Sequence, residues 1–325
     1  MVIPSEILTA QASSSSLPLV LCTVLVFFHG MTDGGSLGYS GLVLPHHTNN
    51  SSALLHLTEE EGACFVSISP LAISVGTLLS IPAAELLGRK MIFLVSNVVC
   101  LLSCLALYLA PSFPVLALAR ATLSLGQGLT AMIAGVYLAE ISTVQGRGPV
   151  SGVFMTSGVV GLLAYTALCI VIPIQFLCLI MAGHNLVLFL LVLLLPESPQ
   201  WLVRHGRQQE AKDSLNRLRG GSYSGLKVEM EEIRQCVEET KSKDSFCQAL
   251  TNKAFKIPFL IFTVIFFLVA CCGCDTMVYY GPTIFSRLDL GLPSAQLSTL
   301  PWVGFSVGYA VSGVLMARSV RGCTL

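Results

Sequence analysis

Residues 150–195 read VSGVFMTSGVVGLLAYTALCIVIPIQFLCLIMAGHNLVLFLLVLLL, without one charged side chain. As one helix the stretch would be about 70 Å long, far beyond the roughly 30 Å hydrocarbon core of a bilayer. Pro173 offers a break, because proline disfavours helical geometry at the residue before it. Two spans, 150–172 and 174–195, joined by a tight turn follow from this. Working outward, the same length and apolarity recur at 18–44, 64–86, 91–110, 114–140, 258–285 and 294–317. The predicted fold class is therefore an all-α membrane protein with about eight transmembrane helices.

Composition agrees. The 325 residues are 54% hydrophobic and 11% charged, with mean hydropathy +0.76, whereas a soluble domain carries about 25% charged residues. Such a chain cannot supply the polar surface of a soluble fold, and the apolar excess excludes disorder, coiled coil and a secreted disulfide scaffold. The runs are twice the length of the alternating segments of a membrane β-barrel. Net charge is zero, which gives no footprint for a nucleic-acid partner. Most of the twelve cysteines that can be placed in context, Cys22, Cys100 and Cys178 among them, sit inside apolar runs and read as small packing residues. Cys271-Cys272-Gly273-Cys274 lacks a second ligand pair at zinc spacing, so neither metal nor other cofactor is expected.

With eight spans, sixteen of the eighteen Lys and Arg residues fall on one side; Arg120 lies within a span and Arg287 opposite. The positive-inside rule makes the basic side cytoplasmic, with the N-terminus on it. Joining 150–195 into one span would send the eleven basic residues of 196–256 outside. The loop 45–63 is then external and carries two overlapping glycosylation sequons, at Asn49 and Asn50. The polar stretch 203–256 holds apolar stripes, Ala211, Leu215, Leu218 and then Leu226, Met230, Ile233, Val237, parted by Gly220-Gly221. They are too short to fold alone and are expected to lie against the cytoplasmic helix ends. The predicted organisation is a first bundle at 1–195, a cytoplasmic helical linker at 196–256, and the start of a second bundle at 257–325.

The chain repeats itself weakly. Tyr39-Ser40-Gly41-Leu42-Val43-Leu44-Pro45 near the end of the first span is echoed by Tyr280-Gly281-Pro282-Thr283-Ile284-Phe285 near the end of the seventh. Two similar halves joined by a long cytoplasmic loop are the layout of parallel-repeat transporters. The motifs go further. Pro196-Glu197-Ser198-Pro199-Gln200-Trp201-Leu202 is followed by Gly206-Arg207 and Leu218-Arg219-Gly220; Glu85 precedes Gly88-Arg89-Lys90; Tyr137 and Glu140 precede Arg147-Gly148; Arg120 stands with Gly126 and Gly128. In these the chain resembles the sugar porters of the major facilitator superfamily, most closely the insect facilitated trehalose-transporter-like members.

That resemblance implies passage of a sugar, hexose or trehalose, by alternating access, facilitated or proton-coupled, in the plasma membrane. It implies a cytoplasmic gate of Glu85, Arg89, Glu140, Arg147 and Glu197, latching two bundles, and a substrate lining that includes Asp33, Gln127, Met155, Asp275 and Tyr279. Met155 stands where a glutamine is expected, and Val269 and Ala270 replace two more in the seventh helix. Asp33 and Arg120 are candidates for an ion pair or proton-coupling site; the family's first-helix aspartate aligns with Ser40, seven residues after Asp33. The family has twelve helices, so a chain of eight is expected to be truncated, and the rival expectation is a non-transporting homologue acting as sensor or inhibitory partner. A homo- or hetero-oligomer fits either. No Ser/His/Asp set, phosphate loop or metal spacing suggests an enzyme.

Overall fold

The structure, a computed structural model, describes residues 17–49, 57–142, 147–221, 225–242 and 253–286, with 303–304, 307–308 and 311. Its elements are α1 (Leu17–Asn49), α2 (Glu59–Leu87), α3 (Arg89–Leu109), α4 (Phe113–Ile141), α5 (Arg147–Val171), α6 (Ile174–Val192), α7 (Pro199–Arg204), α8 (Gln208–Leu218), α9 (Leu226–Ser242), α10 (Lys253–Cys271) and α11 (Cys274–Ser286). Among the described residues six helices, α1 to α6, are long and apolar enough to cross a membrane.

Local chemistry sets the boundaries. Pro173 is the N-cap of α6, so the uncharged stretch does divide into two helices there. Helix α1 runs on through Pro45 to Asn49, beyond the predicted end at 44. Helix α2 starts at Glu59 because Thr58 and Glu61 form a capping box: the Glu61 N–H donates to Thr58 Oγ1 at 3.2 Å and the Thr58 N–H to Glu61 Oε2 at 3.0 Å. The predicted span 258–285 is interrupted. Gly273 has φ +72°, a left-handed conformation that glycine adopts without Cβ strain, and it separates α10 from α11. Most of the predicted span 294–317 lies outside the described residues.

Without a hydrophobic driving force inside lipid, the bundle is held by close packing. Helix α1 packs chiefly on α5, α2 on α4, and α3 on α4 and α6; α11 lies against α1. Glycines permit the closest crossings. A Cβ on Gly34 would run into the Gly158 carbonyl of α5, and one on Gly161 into the Met31 backbone of α1. Gly76 of α2 and Gly128 of α4 meet in the same way. Two apolar cores result. One, around Phe65, Cys104, Leu123 and Met181, fills the end of the bundle remote from α7. The other, around Val26, Phe93, Ile133 and Tyr137, fills the end nearer α7. The linker stripes are buried as their spacing predicts. Ala211 and Leu215 join Met230, Ile233, Val237 and Trp201 in a third core, and Leu218 joins the bundle.

Candidate functional site

Two polar constellations stand out. The first lies between the apolar cores on facing sides of α1 and α4. Arg120 is completely buried. Its Nη1 donates to Ser36 Oγ at 2.7 Å; its Nη2 donates to Ser69 Oγ at 3.0 Å, to the Ser36 carbonyl at 3.2 Å and to Ser40 Oγ. The guanidinium also sits 5.7 Å from the Phe65 ring centroid. Ser36 Oγ donates onward to Gln127 Oε1 at 3.1 Å, Gln127 Nε2 donates to the Thr32 carbonyl at 3.4 Å, and Ser69 and Ser124 share a 2.8 Å hydroxyl bond.

This buried cation is therefore held by neutral oxygens. Among the described residues no carboxylate comes within ion-pair distance of Arg120, so the expected Asp33–Arg120 pair is not formed. The reason is register. Ser36 and Ser40, about one and two turns further along α1 than Asp33, occupy the guanidinium, and Asp33 falls nearly a turn short of Ser36 on the same face. The Asp33 carboxylate is half-buried and has no hydrogen-bond or ion-pair partner among the described residues. Tyr279, on α11, lies within electrostatic reach of Arg120 and is partly buried. The structure thus brings Gln127 and Arg120 together through Ser36, with Tyr279 nearby. The side chains of Met155 and Asp275 lie outside the described residues.

The second constellation ties the ends of α2, α3 and α4 to the α6–α7 connection. Arg89 Nε and Nη2 donate to the two Glu140 oxygens at 3.0 and 2.7 Å, and Nη1 donates to the Ala84 carbonyl at 3.1 Å. Glu197 accepts from the backbone N–H groups of Arg89 at 3.0 Å, Lys90 at 3.2 and 3.3 Å and Ser198 at 2.9 Å. A carboxylate thereby caps α3 from another part of the chain, where the helix dipole favours negative charge. Burial raises the Glu197 pKa, while these N–H groups and the charge of Arg89 act in the opposite direction. Gly88 makes room: its φ is +89°, and a Cβ there would collide with the Glu197 carboxyl group. Glu85 bonds Arg204 at 3.0 Å, its carbonyl accepts the Trp201 indole N–H at 2.9 Å, and the Tyr137 hydroxyl donates to the Pro196 carbonyl at 2.9 Å. Arg219 pairs with Glu229 at 2.5 Å and reaches the Ile141 carbonyl at 3.1 Å, fastening α8 and α9 to α4.

Four of the five expected gate residues, Glu85, Arg89, Glu140 and Glu197, are thus assembled; the Arg147 side chain is outside the described residues. Their partners belong to the first bundle and the linker, and Glu197 engages Arg89 through the main chain. Sequence reasoning missed Ser36 and Ser69, because a serine within an apolar run reads as a small packing residue. It also missed Arg204 and Arg219–Glu229; the spacing of Arg204 after the Glu197 motif was the available signal. His184 and Asn185 take packing roles, His184 Nδ1 bonding the Tyr165 hydroxyl at 2.8 Å and Asn185 the Met181 carbonyl at 2.8 Å. Asn49 closes α1, its side chain undescribed, and Asn50 lies outside the described residues.

Six apolar helices of membrane length, with a buried polar seam and a charged rim on one end, define a multi-pass α-helical membrane protein. The fold matches the proton:xylose symporter XylE, a major facilitator superfamily structure, with TM-score 0.76 at 17% identity over 93% of this chain and 69% of that one. It also matches the partially occluded, inward-open xylose transporter XylE from E. coli, with TM-score 0.68 at 16% identity over 89% and 70%. The family model described as sugar (and other) transporter matches residues 21–317, and the chain belongs to that family. Curated relatives include the Mus musculus solute carrier family 2, facilitated glucose transporter member 6, 29% identical over 85% of this chain and 55% of that protein. The Levilactobacillus brevis D-xylose transporter is 26% identical over 85% and 61%. The chain spans little more than half the length of these relatives.

Proposed function

We propose that this chain works in the transmembrane passage of a sugar, a hexose or trehalose, by an alternating-access cycle that is facilitated or proton-coupled. Residues 1–195 form one bundle, 196–256 the linker and 257–325 the beginning of the opposing bundle, with the N-terminus and linker cytoplasmic at the plasma membrane. The observation that carries this is Asp33: a half-buried carboxylate in mid-helix, without a partner among the described residues, beside a seam of hydroxyls and the Gln127 amide. An unpaired acid inside a membrane bundle is costly, and a polyol that accepts and donates hydrogen bonds there offsets the cost. Gln127, Tyr279, Met155 and Asp275 complete the proposed lining, and Glu85, Arg89, Glu140, Arg147 and Glu197 the proposed gate.

Val269 and Ala270, in place of the amides expected in the seventh helix, favour a second reading, a non-transporting homologue that senses sugar or inhibits a partner. Uptake of radiolabelled glucose and trehalose in transporter-null cells separates the two. Saturable uptake, lowered by Asp33→Asn at equal surface expression, supports the carrier. Surface-expressed protein without saturable uptake of either sugar overturns it in favour of the second reading.

A further inference from the structure

Beside the charged rim lies a cleft of about 540 Å³ between the start of α3, the α6–α7 connection and α8. Its ionic side chains are unequally satisfied. Both Glu197 oxygens are taken by backbone N–H groups, and Glu210 is held by Arg207 through bonds of 2.7 and 2.5 Å. Among the described residues the Asp213 carboxylate accepts only from Gln209, at 3.3 Å. Among the described residues Lys90 Nζ gives one hydrogen bond, to the Leu193 carbonyl at 2.7 Å, which leaves two of its N–H groups for another acceptor. The Arg217 guanidinium has no hydrogen bond or ion pair among the described residues. Lys90 and Arg217 both line the cleft and are close enough to repel one another. Two neighbouring cations with unused donors make a receptor for an anion with several acceptor oxygens.

The apolar wall says which anion. Leu87 and Met91 line the same cleft and are 50% and 45% exposed. Helix α3 leads directly from Lys90 into its membrane-length apolar run. A ligand that offers a phosphate to Lys90 and Arg217 and hydrocarbon to Leu87 and Met91 satisfies both walls at once. We infer that this cleft binds the headgroup of an anionic phospholipid from the adjoining leaflet. Bound there, the lipid braces α8 against α3 at the charged rim. The inference does not depend on sugar transport or on which leaflet the rim faces.

The test uses the full chain in detergent, with its thermal midpoint followed during titration with short-chain phosphatidylglycerol, phosphatidylcholine or inorganic phosphate. Phosphatidylglycerol is expected to raise the midpoint saturably and the other two to leave it unchanged. Lys90→Gln and Arg217→Gln are each expected to weaken the effect about fivefold. Lys90→Arg, which keeps the charge, and Lys212→Gln, a charge loss on α8 outside the cleft, should retain it. Equal stabilisation by phosphatidylcholine would reduce the effect to acyl-chain adsorption and overturn the proposal. Stabilisation by inorganic phosphate alone would make the cleft a site for free anions, and an unchanged response in the Lys90→Gln/Arg217→Gln double variant would place the lipid elsewhere; either result also overturns it.

Discussion

The Arg89 guanidinium and the Glu140 carboxylate meet through two parallel hydrogen bonds of 3.0 and 2.7 Å, with both side chains almost sealed from solvent. The pair bolts the start of α3 to the end of α4. Removing one member of a buried pair strands the other and costs about 3–5 kcal/mol. Glu140→Ala and Arg89→Ala should each destabilise on that scale, and together by clearly less than the sum. Thermal or denaturant unfolding in detergent measures the cycle, and simple additivity would refute the coupling. Exchanging the charges of Arg89 and Glu140 should restore part of the loss. Exchanging those of Arg89 and Glu197 should not, because Glu197 binds the main chain of Arg89.

Gly88→Ala forces a Cβ into a left-handed position against the Glu197 carboxyl group. Strain of this kind costs about 1–3 kcal/mol, and the cap of α3 is lost with it. The expected result is a lower unfolding midpoint that Glu197→Ala does not worsen further; independent losses would show that Gly88 and Glu197 do not act as one unit.

Glu197 titrates above the ordinary 4.5 because it is buried. A raised carboxyl pKa means the folded state holds its proton more tightly than the unfolded state. The stability it contributes is full below pH 4.5 and is lost as pH rises through the elevated value. The midpoint difference between the wild type and Glu197→Gln should therefore shrink, to the disadvantage of the wild type, as pH increases from 4.5 upward. A constant difference across that window would contradict the assignment.

Ser40→Asp sets a carboxylate against a buried guanidinium whose hydrogen-bond partners among the described residues are all neutral. Replacing a hydroxyl acceptor by an ionised one should raise stability by about 1–2 kcal/mol. Asp33→Asn should leave stability unchanged or raise it, since Asp33 has no partner among the described residues and the substitution removes a costly charge, while lowering saturable sugar uptake about tenfold or more. Unfolding midpoints and uptake in one set of cells check both. A stability loss in Asp33→Asn would reveal a structural role instead.

Asn49 or Asn50 should carry glycan, and a tag inserted near Ser222 should be reachable only after permeabilisation. A mobility shift on glycosidase treatment and protease access in intact cells test this; access from outside would invert the topology.

Much of this was legible in the residues. Pro173 divided the uncharged stretch because proline acts on the backbone whatever surrounds it. Glu85, Arg89, Glu140 and Glu197 were singled out by the motifs that carry the family resemblance, and they stand as charges at helix ends against apolar flanks. For Arg120 the resemblance pointed to the Ser40 position, but Asp33 was offered as the pairing acid, and Ser36 and Ser69 were not found. A buried arginine suggests an acid, and which α1 side chain faces it is settled by the glycine-set register of α1 on its neighbours. The break at Gly273 was hidden for a related reason, since the cysteines around it are as apolar as the helix they interrupt. That Glu197 reaches backbone and not a side chain depends on the path of the α6–α7 connection, which no residue pattern discloses.

The backbone contact of Gly34 with Gly158 has a mechanical consequence. Two helices that touch through side chains can slip past one another as those side chains change rotamer. Helices α1 and α5 have no such lubricating layer at their crossing, since Gly34 and Gly161 bring main chain against main chain. They behave as one beam, and shear along their seam is blocked. Any flexing that the bundle undergoes is thereby displaced to helices whose hydrogen-bond ladder is already interrupted, foremost α2 with Pro70 and Pro82 within it.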